Sequence, residues 1–121
     1  MNIYIAGKIS GDLDYKAKFD ALEAGLKKRW GSSAILNPAS LPFGMTTKDY
    51  MAICISMLIR ADMIILLPDW ETSPGATIEK MLAEYAGISI VPLTEEEYES
   101  IAAVREVVRV KPDGKGGFVR L

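Results

Sequence analysis

The 121 residues carry 14 Lys and Arg against 16 Asp and Glu for a net charge of -2, with 50% hydrophobic residues, a mean hydropathy of +0.16, one cysteine and no histidine. That length reads as a single domain over 1–121, with enough chain to bury roughly two-thirds of its unfolded surface. Ser-His-Asp and Cys-His machinery, His-containing metal sites and disulfide frameworks are excluded, and a slightly acidic chain argues against a nucleic-acid-coating surface and for a small-molecule partner.

Residues 2–6 are a short apolar run that stops at Gly7, the pattern of a buried strand opening an α/β unit. Asp12, Leu13 and Asp14 introduce a helix from 15 to about 30. In it Ala17, Phe19, Leu22, Ala24 and Leu26 recur at helical spacing, Lys27, Lys28 and Arg29 fill the last turn and Gly31 is the stop. Residues 34–36 make a minimal second strand running into Asn37-Pro38, and Pro38, Pro42 and Gly44 mark the stretch to Thr47 as a loop that can line a site. Thr46 or Thr47 caps a helix through about 61. Its sequence DYMAICISMLIRA is apolar on nearly every face, which predicts burial beyond the sheet side, as in a self-association interface.

Residues 62–67 (DMIILL) are the strongest strand, and Ser73-Pro74 supplies the N-cap and first position of a helix that ends at Gly87. Residues 88–91 are β-rich, 95–103 an acidic short helix, and 104–110 with 117–121 a hairpin around Pro112-Asp113-Gly114. The order predicts a small doubly wound parallel sheet, Rossmann-like or flavodoxin-like, with helices on both faces and a C-terminal β-hairpin. Ligands of such sheets sit beyond the carboxyl ends of the strands, so the loops after Ala6, Leu36 and Leu67 should converge on one crevice. No run reaches the roughly 18 apolar residues of a membrane span and no signal-peptide pattern opens the chain, which with a lone thiol points to the cytoplasm and away from membranes.

Glu79 lies about two turns into the helix opened by Ser73-Pro74, where the helix dipole favours an ionised carboxylate: a nucleophile or electrostatic clamp, or else a solvated surface residue. Asp69 and Glu71 flank Trp70 at the end of the strongest strand. Two carboxylates of divergent pKa are what glycosidic cleavage uses, and Trp70 offers a stacking face, the alternative being a polar turn with its tryptophan over the core. Tyr4 sits in the first strand, either orienting a carboxylate through its hydroxyl or filling the core. The loop Gly7-Lys8-Ile9-Ser10-Gly11-Asp12 can present N–H groups to an anion but is neither a P-loop nor G-x-G-x-x-G, and Ser73 with Gly75 is a helix start able to hold a phosphate or simply a cap. Cys54 and Met45, Met51, Met57, Met63 and Met81 read as packing residues, and Glu95, Glu96 and Glu97 as a solvated first turn.

Together, Tyr4-Ile5-Ala6-Gly7, Ala61-Asp62 and Ser73-x-Gly75-x-x-x-Glu79 resemble the nucleoside 2-deoxyribosyltransferase superfamily over about residues 1–92. The start Ile-Ala-Gly-Lys-Ile-Ser-Gly, the loop Asn37-Pro38-Ala39 and Leu67-Pro68-Asp69-Trp70-Glu71 are most similar to a small phage and bacterial branch of it, related to the 2'-deoxynucleoside 5'-monophosphate N-glycosidases. The resemblance implies cleavage or transfer at an N-glycosidic bond, with Glu79 forming a covalent glycosyl intermediate and Tyr4 contacting its carboxylate. It implies Ser73 at a 5'-phosphate, which favours a nucleotide over a nucleoside, and Lys8 and Ser10 in the polar loop positions. The relatives' acid position holds Cys54 here, so Asp69, or else Asp49, becomes the candidate proton donor.

The sequence-level expectation is therefore an N-glycosidase or glycosyltransferase without metal or cofactor, acting through Glu79, Tyr4 and Asp69. Gly7, Lys8, Ser10, Gly11, Asn37, Trp70, Ser73 and Gly75 are its substrate-binding candidates. A homodimer or higher homo-oligomer is expected. The rival readings are a nucleotide-binding module without catalysis and an interaction subunit working through its apolar second helix.

Overall fold

Strand β1 (Asn2–Ala6) sends Ile3 and Ile5 to one face and Tyr4 and Ala6 to the other, and all four are buried. A strand buried on both faces needs a helical layer on each side. A computed structural model supplies those layers; it describes the backbone of residues 1–106, 110–112 and 118–120 and the side chains of residues 1–102. β1 pairs in parallel with β2 (Ala34–Leu36) and β3 (Met63–Leu66), and β4 (Ser89–Pro92) pairs in parallel with β3, in the order β2-β1-β3-β4. This is a flavodoxin-like, doubly wound α/β fold, whose strand order reverses between β1 and β3.

Helices α1 (Tyr15–Arg29) and α4 (Glu95–Glu106) cover the face of Ile3, Ile5 and Ile65; Phe19, Leu22, Leu26 and Ile101 are buried there. Helices α2 (Thr47–Ile59) and α3 (Pro74–Ala86) cover the face of Tyr4, Ile64 and Leu66 with Cys54, Leu58, Ala76 and Ala83. The buried stripe of α1 is Phe19, Leu22, Gly25 and Leu26, while Ala17 and Ala24 of the expected stripe are exposed. Gly25 belongs to that stripe because α4 crosses it: a Cβ there would strike the backbone carbonyl of Ile101.

α2, opened by a reciprocal capping box between Thr46 and Asp49, buries Cys54 and Leu58 within the chain and leaves Ile53 and Ile59 exposed, on the helix for which a self-association interface is expected. One expectation is corrected. At the C-terminus, α4 continues through residues 104–106, where a strand was expected, because extending a helix already formed adds one backbone hydrogen bond for each residue fixed. A hairpin of the expected extent is not seen. Val110–Pro112 (β5) and Phe118–Arg120 (β6) pair antiparallel apart from the main sheet, Pro112 ends a strand instead of forming a turn, and Asp113 and Gly114 lie outside the described residues. Among the described residues no helix is long and apolar enough to cross a membrane.

Candidate active site

The loops leaving β1, β2 and β3 converge on a cavity of about 530 Å³. Gly7, Lys8, Ile9 and Ser10 line it from the β1 loop, Pro38, Leu41, Phe43 and Met45 from the segment after β2, and Thr72 to Ala76 from the start of α3. Gly7 is required by close approach, because a Cβ there would come within 2.6 Å of the Leu67 side chain. The first turn of α1 contributes Tyr15, the first turns of α2 contribute Thr47, Tyr50, Met51 and Cys54, and Tyr4 and Glu79 complete the wall.

Tyr4 is wholly buried and Glu79 only 7% exposed, and the Tyr4 hydroxyl donates a hydrogen bond to Glu79 Oε2. Strand alternation aims Tyr4 at the α2–α3 side, and Glu79 sits in the second turn after the Ser73 cap on the buried stripe shared by Ala76 and Ala83. Burial pushes Glu79 up from 4.5 to about 7, against the opposing pull of the Tyr4 hydrogen bond. The helix dipole was expected to favour the ionised form. Its effect of about 0.3–1 kcal/mol fades after the first turn, and desolvation wins. Burial and the neighbouring Glu79 charge hold the Tyr4 phenol far above its usual range, so it remains a donor, and burial likewise raises the Cys54 thiol beside it. The pair therefore offers a carboxylate nearly balanced between its two protonation states at neutral pH, held by a neutral hydroxyl.

At the start of α3, Ser73 Oγ accepts the Ala76 N–H at 3.2 Å, so Ser73 is an N-cap whose hydroxyl hydrogen can still be donated to a ligand. Gly75, in the same turn, leaves the backbone open to the cavity. Gly11 shapes the β1 loop through a left-handed φ of +79° but does not line the cavity. Asn37 does not line it either: its amide nitrogen donates to Asp20 and Glu23 at 3.0 Å each, and its oxygen accepts the Ala39 N–H at 2.8 Å. Asn37 thereby fixes the exit of β2 against α1 and presents Pro38 to the cavity.

Asp69 and Trp70 also stand outside the cavity wall. Asp69 accepts the Lys8 N–H at 3.0 Å on one oxygen and the Lys18 ammonium at 2.7 Å on the other, and Lys18 pairs with Asp12 as well. Burial works to lower Lys18, but its hydrogen bonds to Asp12 and Asp69 prevail and raise it. Through these two contacts Asp69 fastens the β1 loop and α1 to the β3 exit. Trp70 opens a short 3₁₀ turn (Trp70–Thr72), packs on the α2–α3 core and carries Lys80 Nζ 5.4 Å from its ring centroid, so its outer face is already occupied. Asp49 is spent on the cap of α2.

Residues 1–92 match the model of a domain family of unknown function, DUF4406. The chain belongs to the DUF4406 family. No curated protein and no solved structure matches it. The DUF4406 match runs from β1 through β4 and contains every residue that lines the cavity, whereas α4 lies beyond it.

The DUF4406 cavity also has an aromatic wall that pattern reading passes over. Tyr15 and Phe43 meet edge to face with ring centroids 6.4 Å apart, and the Tyr50 hydroxyl donates to the Pro42 carbonyl at 2.6 Å, tying the Phe43 loop to α2. Met45 and Met51 line the cavity beside these rings instead of filling a core. The available signal was Phe43, Met45 and Tyr50 clustered after the second strand, in a segment without periodicity.

Proposed function

We propose that this DUF4406 domain cleaves or transfers at the N-glycosidic bond of a nucleotide or nucleoside, deoxynucleotides first among them, through a covalent intermediate on Glu79. The observation that carries the reading is the buried Tyr4–Glu79 pair on the wall of a cavity that also includes a helix N-terminus. Glu79 attacks the anomeric carbon as the carbon–nitrogen bond breaks through an oxocarbenium-like transition state. Water, or a second base, then displaces the carboxylate from the glycosyl ester. Tyr4 positions Glu79 by holding one carboxylate oxygen, and the N-terminus of α3 at Ser73 and Gly75, with Lys8 and Ser10 opposite, suits a phosphate. The resemblance of Tyr4, Ser73 and Glu79 to the deoxyribosyltransferase pattern supports the same chemistry, which needs no metal or cofactor.

A second reading, nucleotide binding without turnover, is favoured by one observation: the position of the relatives' acid holds Cys54, and Asp69 is engaged by Lys18. Free-base release from a panel of nucleotides and nucleosides, followed by chromatography beside Glu79→Gln, separates the two. Release that depends on Glu79 supports glycosidic chemistry; saturable binding with every ligand recovered intact supports the binding module. Self-association is part of the proposal, since Ile78, Met81 and Tyr85 lie on one exposed stripe of α3.

A further inference from the structure

Resting on the N-glycosidic reading, we infer that the base released at this site is a cationic heterocycle, a pyridinium or an N7-alkylated purine, whose glycosidic nitrogen departs without needing a proton. The two kinds of leaving group differ in their electron count. When the bond to a neutral base breaks, its electron pair makes the ring an anion, and an acid must protonate it in the transition state. When the ring is already a cation, the same pair cancels the charge and a neutral base departs.

The cavity is equipped for the second case. Among the described residues Glu79 is the one carboxylate on its wall, and the reaction uses it at the anomeric carbon. Of the acids nearby, Asp69 and Asp12 are engaged by Lys18, Asp20 by Asn37 and Lys16, and Asp49 by the cap of α2, while Glu71 is exposed on the 3₁₀ turn and does not line the cavity. The other proton carriers on the wall are the phenols of Tyr4, Tyr15 and Tyr50, the Cys54 thiol, the Lys8 amine and the hydroxyls of Ser10, Thr47, Thr72 and Ser73. Of these, the Tyr4 proton is given to Glu79, Tyr50 donates to Pro42, Tyr15 stands edge to face with Phe43 and presents its ring, Cys54 is buried and pushed further up, and Lys8, Ser10 and Ser73 face the phosphate in the reading above.

What the cavity offers a base instead is the ring surface of Tyr15, Phe43 and Tyr50 with the sulfur of Met45 and Met51. Aromatic faces attract a flat cation, and here Phe43 is exposed at the cavity rim with Tyr15 and Tyr50 half-buried beside it. In the balanced step, Glu79 Oε bonds to the anomeric carbon, and the carbon–nitrogen pair moves onto the ring and neutralises it. Water then adds its oxygen to the anomeric carbon, releases Glu79 and loses a proton to solvent.

Guanosine 5'-monophosphate and its N7-methyl derivative test the inference, in both the ribo and 2'-deoxy series, with nicotinamide mononucleotide beside them and enzyme-free rates subtracted. The expected result is base release that requires Glu79 and is faster by about 100-fold or more from the methylated member or from nicotinamide mononucleotide, the span a missing general acid would open. Comparable release from unmethylated nucleotides would mean that an acid does reach the base, which overturns this inference and leaves the glycosidic reading standing. Release from none of them overturns this inference, and the wider panel of nucleotides and nucleosides then decides the glycosidic reading.

Discussion

The Tyr4 hydroxyl reaches Glu79 across 75 positions of sequence, joining the central strand β1 to the second turn of α3 inside the core. The pair makes stability and reactivity respond to the same proton. Glu79 holds that proton up to about pH 7 in the folded chain and to 4.5 as an ordinary carboxyl. Its stabilising contribution is therefore complete below about pH 4.5 and is lost as pH climbs to about 7, on the order of 3 kcal/mol in all.

Glu79→Gln removes that slope. The variant should fold, gain stability relative to the parent between about pH 5 and about pH 8 in urea denaturation, and lose more than about 1,000-fold in base release. A stability difference that does not move with pH would refute the burial effect; full turnover would refute the nucleophile.

Tyr4→Phe keeps the core volume and deletes the donor that holds Glu79 down. The ascending limb of kcat/KM against pH, which reports ionisation of Glu79, should shift above about pH 7, with a loss of about 1–3 kcal/mol in stability once Glu79 is ionised. An unmoved limb would show that the hydroxyl does not act on the carboxylate.

Asp69→Asn distinguishes a fastening residue from an acid. Its ion pair with Lys18 is partly exposed, so the variant should lose less than about 1 kcal/mol in stability, raise KM as the β1 loop loosens, and keep the shape of the pH profile. Disappearance of a descending alkaline limb in the variant would restore Asp69 as the proton donor.

Gly25→Ala pits helix propensity against packing. Alanine favours a helix by about 1 kcal/mol over glycine, but the new methyl meets the Ile101 backbone, which cannot rotate away, and overpacking costs about 1–3 kcal/mol. A net fall in Tm is expected; a rise would mean that α4 does not press on α1 as described.

The difference between Gly25 and the first helix's alanines also explains what could be read in advance. Helical spacing finds Phe19, Leu22 and Leu26 because their side chains are apolar. It cannot find a glycine buried by the approach of Ile101 on a helix that follows much later in the chain. The caps were legible, since Asn37 and Ser73 each bind a backbone N–H two or three residues on, whereas the approach of Gly7 to Leu67 was not. Tyr4 and Glu79 were legible as a pattern, but the ionisation of Glu79 was not, because it is decided by burial from several elements. Asp69 and Trp70 were misplaced for a related reason: Lys18 and Lys80, which occupy them, are visible only in three dimensions.

Met81→Glu probes the exposed stripe on α3. If the chain self-associates there, sedimentation should move to the monomer while thermal stability measured at low concentration changes by less than about 0.5 kcal/mol. Identical sedimentation of variant and parent would remove α3 from the interface.

The missing side chain at Gly7 has a wider effect than the local fit against Leu67. Gly7, at the exit of β1 on the cavity wall, lies so close to Leu67 at the exit of β3 that one methyl group would separate them. Lys8, the next residue, carries the amide that Asp69 grips. The depth of the cavity is thus inherited from the sheet and not from the residues a ligand would touch. Redesign of Phe43, Met45 or Tyr50 can therefore widen or recolour the rim, while the distance from that rim down to the reactive pair stays where β1 and β3 have put it.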